Sequence, residues 1–166
     1  MHPGRSPARS RRLARSLVRL VVQRVSRAEV RSAGEILGAI GRGAAVLVGI
    51  GVGDTTQVVD RLAERLLGLR YFEDSEGRTN LSIDEAGGEY LVVSQFTLLA
   101  DLSRGRRPGF GHAAPPAVAE PMVERFVARL RDAGHRVATG RFGAEMEVEL
   151  VNDGPFTLLL EAGAEE

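Results

Sequence analysis

Two stretches of this chain leave little freedom in how it can fold. AAVLVGI at residues 44–50 and the front of GGEYLVVSQFTLLAD at residues 87–101 carry apolar side chains at successive rather than alternate positions. A strand points its side chains to its two faces in turn, so both stretches are apolar on both faces and belong at the centre of a covered sheet. The cover is legible too. Val58, Leu62, Leu66 and Leu69, joined by Val59, Ala63 and Leu67, recur at helical spacing and form one wide apolar stripe. Asp54-Thr55-Thr56-Gln57 opens that helix, with Asp54 read as its cap and Gln57 three residues on. A second helix runs from Pro115-Pro116 to about Asp132, turning Met122, Val123, Phe126, Val127 and Leu130 inward, with Gly134 suited to its C-terminal end.

The rest reads as strands and turns. LVVQRVSRAEV (20–30) is a first strand, followed by a turn at Ser32–Gly34 and a short strand at Glu35–Ile40. YFEDSEGRTNLSI is strand, turn and strand about Glu76-Gly77. Residues 87–101 read as one strand, and three closing strands are expected at about 135–140, 145–151 and 156–161. Between the last two, VELVNDGPFTLLL places four turn-formers, Asn152 to Pro155, among flanks that look fully buried. No repeat or linker is evident. The expectation is one α+β domain over residues 18–162, a β-rich mixed sheet or partial barrel with two covering helices, and a short tail at 163–166.

Charge is unevenly placed. All twenty-two basic residues are Arg; six lie in residues 1–20 without an acid, leaving sixteen against twenty-two acids in the remainder. The body is therefore acidic, which disfavours broad coating of a nucleic acid and requires any such partner to be held locally. Residues 1–17 are expected to be a disordered Arg-rich extension, or the product of a start placed too far upstream. A transit peptide or a nucleic-acid-binding arm has the same composition. Arg19 interrupts LVRLVV and leaves no clean secretory h-region, and no run is long enough to span a membrane.

The usual catalytic kits are missing. Absent Cys and Lys exclude thiolate nucleophiles, thiolate zinc sites and Schiff bases. His2, His112 and His135 have no metal-ligand spacing, so neither metal nor cofactor is expected. GIGVGDTT (49–56) lacks the Lys and spacing of a phosphate loop and reads as a tight strand–helix connection. Two segments break local rules: Ser94-Gln95-Phe96-Thr97, polar groups in an apolar run, and Asn152–Pro155. By composition alone the first reads as a buried hydrogen-bonded network and the second as a surface turn.

Taken with the rest of the chain, these segments resemble the signatures of the D-aminoacyl-tRNA deacylase family. The resemblance runs from about Val18 to Leu160 through VVQRVSRAEV, GVGDT, LRYFEDSEGR, SQFTL, DLSRGRRPGF, AAPP, ERFVARL, TGRFGAEM and NDGPFT. It implies a cytosolic homodimer that hydrolyses the ester joining a D-amino acid, or glycine, to the acceptor 3′ end of tRNA, with no membrane or DNA partner. It implies catalysis around Ser94, Gln95, Phe96 and Thr97. Asn152, Gly154, Pro155 and Thr157 would form a Gly-cisPro chiral gate projecting into the partner subunit's site, braced by Arg24. Phe142, Gly143, Ala144 and Met146, with Phe96, would receive the terminal adenosine.

The chemistry is coherent with that resemblance. Backbone carbonyls at a fixed gate can accept from an α-ammonium while filling the volume an L side chain needs, which gives chirality without side-chain identity. An aminoacyl ester beside a ribose hydroxyl is already activated, so on this reading positioning and backbone N–H groups around Gln95–Thr97 would supply most of the acceleration, assisted by the 2′-hydroxyl. The alternatives are Thr97 as a nucleophile, a non-catalytic tRNA 3′-end binding module, a synthetase editing module, and an esterase of small substrates. Arg104, Arg106 and Arg107 are candidates for phosphate contacts. Phe156, larger than the usual aliphatic beside the gate, is expected to narrow the pocket.

Overall fold

The computed structural model describes residues 17–163. In chain order the elements are β1 (Leu17–Ser32), β2 (Glu35–Ile40), β3 (Gly43–Gly49), α1 (Thr56–Gly68), β4 (Arg70–Glu73), β5 (Thr79–Ser82), α2 (Ile83–Ala86), β6 (Glu89–Ser94), α3 (Pro116–Asp132), β7 (Val137–Thr139) and β8 (Glu147–Gly163), with a 3₁₀ turn at Phe96–Leu99 after β6. Apart from Leu17, the expected N-terminal extension lies outside the described residues. Leu17 itself pairs with Gly163, so the strands reach one residue past both expected domain limits.

β3 and β6 are the two strands apolar on both faces, and they are parallel neighbours in the middle of the sheet order β2-β1-β3-β6-β7. Ala44, Val46 and Val48 with Tyr90 and Val92 face one core; Ala45, Leu91 and Val93 face another. The first core is closed by α1 and α3, through Val58, Leu62 and Leu66 and through Phe126 and Leu130. Each such buried side chain contributes about 1.5–3 kcal/mol against exposure. The second lies within the curl of the sheet, where β2 comes so close to β7 that a Cβ on Gly38 would sit 2.8 Å from the Thr139 carbonyl. The sheet is thus a nearly closed mixed barrel with helices outside.

β1 joins the two cores. Val18, Leu20 and Val22 face the helices, whereas Val25, Ala28 and Val30 belong to the inner core. The change of face needs a break in register, and β1 and β8 shift against each other between Gln23 and Arg27.

Four expectations need correction. The cap of α1 is Thr55, whose hydroxyl accepts from Val58 N, while Asp54 is buried and accepts the Gly51 N–H at 2.5 Å. The run 87–101 is not one strand: it ends at Ser94 and tightens into the 3₁₀ turn. The segment ending at Ile83 is not strand to its end: after β5 it turns into a one-turn helix, α2, where Ser82 and Glu85 form a capping box. The stretch 145–161 is a single strand direction, since Glu147–Asn152 and Thr157–Gly163 both run antiparallel along β1.

Candidate active site

The end of β6 is pinned from three sides. Gln95 N–H donates to Val48 O at 2.8 Å, which carries the chain one step past the strand along β3. The 3₁₀ turn then sits directly over Gly49, where a Cβ would lie 2.5 Å from Leu99 Cδ2 and 3.0 Å from Gln95 O. Arg19 Nη1 donates to Leu98 O at 2.7 Å from the other side. The outcome is a rigid ledge with Phe96 and Thr97 exposed, Phe96 at 58%. Their N–H groups open the turn and so have no acceptor within it, whereas the Gln95 N–H is engaged.

The ledge forms one wall of a cleft of about 650 Å³. The facing wall is Phe142, Gly143, Ala144 and Met146, and the floor includes Val48, Ile50 and Ala119. The facing wall holds its shape locally: Gly143 has φ +76°, Ala144 N–H donates to Arg141 O at 3.2 Å, and the Met146 sulfur lies where a Gly140 Cβ would be, at 2.5 Å. The volume suits a nucleoside, and a mainly apolar lining suits a base. Glu145 is the single ionisable group among the described lining residues. Gln95 Nε2 donates to the Thr97 hydroxyl oxygen, and an amide is no base in either orientation. Among the described residues no three His, Asp or Glu are grouped as metal ligands.

Thus Ser94, Gln95 and Phe96 meet Phe142, Gly143, Ala144 and Met146 in one cleft, while Thr97 stands outside its lining. The second segment does not line this cleft. Asn152 and Thr157 draw together the neck of a loop: Asn152 Nδ2 donates to Thr157 Oγ1 at 3.0 Å, and Phe156 N–H donates to Asn152 Oδ1 at 2.7 Å. Gly154 and Pro155 are exposed at its tip, joined by a cis peptide bond. Opposite, β1 contributes Arg24 alone between the pairs Gln23–Thr157 and Val25–Asn152, so four residues bulge against one.

Arg24 is 5% exposed and fills that gap. Its Nε donates to Asp153 O at 3.1 Å and pairs with the Asp153 carboxylate at 3.5 Å, while Nη1 donates to Tyr71 O at 2.8 Å. Phe156 packs beneath it, the guanidinium carbon 4.7 Å from the ring centroid. Phe156 also stacks on Tyr71 and joins the helix-side core, so it supports Arg24 and lies outside the lining of this chain's own cleft. The strand flanks of the loop are not fully buried as expected: Val148, Val151 and Leu159 are exposed, Leu159 at 63%.

The sequence model of the family described as D-Tyr-tRNA(Tyr) deacylase matches residues 21–161. The chain belongs to the D-aminoacyl-tRNA deacylase family. A D-aminoacyl-tRNA deacylase of Symbiobacterium thermophilum is 58% identical over 146 residues, covering 88% of this chain and 97% of the relative. The solved structure of the c-Myc DNA Unwinding Element Binding Protein is 41% identical, with a TM-score of 0.82 over 88% of this chain and 99% of its own. A structure described as a probable eukaryotic D-amino acid tRNA deacylase shares the fold at 19% identity, with a TM-score of 0.77 over 88% of this chain and 100% of its own. As a family member the chain is a hydrolase, and its substrate class is aminoacyl-tRNA. No helix among the described residues is long and apolar enough to cross a membrane.

Proposed function

We propose that this chain acts in the cytosol as a homodimer that hydrolyses D-aminoacyl-tRNA, and mischarged glycyl-tRNA, to free amino acid and tRNA. The observation that carries the reading is the cleft that brings Ser94–Phe96 against Phe142–Ala144 and Met146 with one ionisable side chain in its lining. Such a cleft suits the terminal adenosine and leaves the chemistry to positioned backbone and to the RNA. Water adds to the ester carbonyl carbon, the Phe96 and Thr97 N–H groups receive the developing oxyanion, and the 2′-hydroxyl relays a proton to the departing 3′-oxygen. The Gln95 N–H is not among these donors, because it is held by Val48 O.

Gly154–Pro155 is the chiral gate of this reading, acting on the partner subunit's cleft, with Asn152, Thr157 and Arg24 as positioning residues. Its support is that the loop is held rigidly from behind and stands clear of its own chain's cleft. The exposed apolar residues Val148 and Leu159 on the flanking strand are surface a second copy would cover. Thr97 as nucleophile has weaker support, since its neighbour is an amide donor. A DNA-directed activity, suggested by the name of the 41%-identical structure, fits poorly with the acid excess of the body. The direct test is incubation of the purified chain with D-tyrosyl-tRNA: release of D-tyrosine above the spontaneous rate is expected, and none overturns the reading.

A further inference from the structure

Most arginines of the body are answered by the fold. Arg27 and Arg31 share Glu149, Arg125 and Arg129 share Asp60, and Arg136 pairs with Glu89. Arg104, Arg106 and Arg107, like Arg65 and Arg141, are exposed and make no side-chain hydrogen bond or ion pair among the described residues, but these three are gathered on one loop. The loop that carries them is nevertheless built. Asp101 and Gly109 exchange both backbone hydrogen bonds, at 2.7 and 2.9 Å, and Gly105 turns the tip with φ +65°. Ser103 donates its N–H at 2.9 Å and its hydroxyl at 2.5 Å to Asp101 Oδ1. The Asp101 carboxyl is held below the usual range by these two bonds first, with weaker help from His112 and Arg104. Asp101, at the base of the loop, is thus engaged chiefly by Ser103.

Both ends of the loop feed the cleft. Asp101 follows the 3₁₀ turn, and Phe110, itself exposed, meets Phe96 edge-on with centroids 5.1 Å apart at the cleft wall. Exposed aromatic surface beside unpaired guanidiniums is the composition of a single-stranded nucleic-acid track: rings take bases, and planar forks take phosphates. We propose that loop 101–110 seats the single-stranded RNA leading into the cleft, with Phe110 under the base before the terminal one and Arg104, Arg106 and Arg107 on the phosphates upstream of it. This rests on the deacylase reading and explains how an acidic body holds a polyanion: locally, at one loop.

The test uses the full chain and a labelled single-stranded RNA oligonucleotide bearing the tRNA 3′ sequence. Binding is titrated against salt for the wild type and for the exposed triple substitution Arg104→Ser, Arg106→Ser, Arg107→Ser. The expected slope of log K against log salt becomes shallower by about 2, at roughly 0.7 for each phosphate of a single strand that is no longer neutralised. An unchanged slope overturns the proposal, whether or not the wild type deacylates anything. Equal loss of binding to inorganic polyphosphate also overturns it, marking a general polyanion patch. In turnover, the substitutions are expected to lower kcat/KM more for D-tyrosyl-tRNA than for the D-tyrosyl ester of adenosine, which has no phosphate; equal losses contradict the assignment. A wild type that hydrolyses neither substrate refutes the deacylase reading separately.

Discussion

Arg24 donates from Nε to the carbonyl oxygen of Asp153 at 3.1 Å, from a position 5% exposed inside the sheet. One residue of β1 therefore stands behind a loop of four, and the loop cannot shift without moving a buried guanidinium. Arg24→Gln is expected to cost about 1–3 kcal/mol in stability, through the hydrogen bonds and packing it removes. It should also weaken discrimination between D- and L-aminoacyl-tRNA more than it slows D-substrate turnover. Arg24→Lys keeps the charge and not the fork, so discrimination should recover only in part. Denaturant melts and paired D/L assays check both; unchanged discrimination in Arg24→Gln would remove Arg24 from its positioning role.

Gly154 is the second constraint on that loop. A Cβ there would lie 3.0 Å from Arg24 Nη2, at φ +131°, where L side chains rarely sit. Gly154→Ala should therefore cost about 1–3 kcal/mol of local strain and displace the loop tip. The expected readout is a fall in D-substrate kcat/KM with the fold retained by circular dichroism. A fully active Gly154→Ala would show that the tip geometry does not matter.

Thr97 separates two mechanisms. Its hydroxyl oxygen accepts from Gln95, and no His, Asp or Glu among the described residues hydrogen-bonds to it. Thr97→Ala is expected to keep single-turnover deacylation within about tenfold of wild type, whereas removal of a true nucleophile costs several orders of magnitude. Loss on that larger scale, with binding intact, would establish Thr97 as the nucleophile.

Asp60 ties α1 to α3. It accepts from Arg125 through both oxygens at 2.7 Å and lies 3.3 Å from Arg129 Nε. The hydrogen bond from Arg125 is the main cause that holds the Asp60 carboxyl below its usual range, against partial desolvation. A carboxylate with a depressed folded-state pKa stabilises the fold above its unfolded pKa, about 3.9, and loses that contribution as pH falls through the folded value. Asp60→Asn should thus be less stable than wild type by about 0.5–1 kcal/mol at neutral pH, with the gap closing below about pH 4. Thermal melts of both proteins across that range measure it; a gap that widens on acidification would contradict the assignment.

Much of the architecture was legible because it follows from periodicity. The successive apolar residues of 44–50 and 90–93 required a strand with two covered faces, and β3 and β6 divide their side chains between two cores accordingly. The stripe from Val58 to Leu66 placed α1 for the same reason. What periodicity could not show was where a strand stops. Ser94-Gln95-Phe96-Thr97 reads as strand because its neighbours are apolar, yet Gly49 opposite permits a close approach that turns the chain into a 3₁₀ ledge. Asn152–Pro155 has turn composition, but the pairing partner on β1 continues past it, so the chain bulges instead of reversing. Phe156 looked like a pocket residue because it adjoins Gly154–Pro155; the bulge rotates it inward onto Tyr71. The capping box of Ser82 and Glu85 was present in the sequence as S-x-x-E and marks a helix too short for any apolar stripe. The candidate cleft was visible only in part: SQFTL and TGRFGAEM are legible as motifs, whereas the contribution of Ala113, Ala114, Val48 and Ile50 to its lining depends on tertiary packing.

On the proposed reading, a backbone gate rejects the L-enantiomer whatever the side chain. Matched D-tyrosyl-tRNA and L-tyrosyl-tRNA, prepared on the same tRNA, test it in one assay of ester hydrolysis at equal enzyme. Rapid loss of the D-ester with the L-ester decaying at its spontaneous rate is the predicted result; equal enzymatic rates for the two would contradict it.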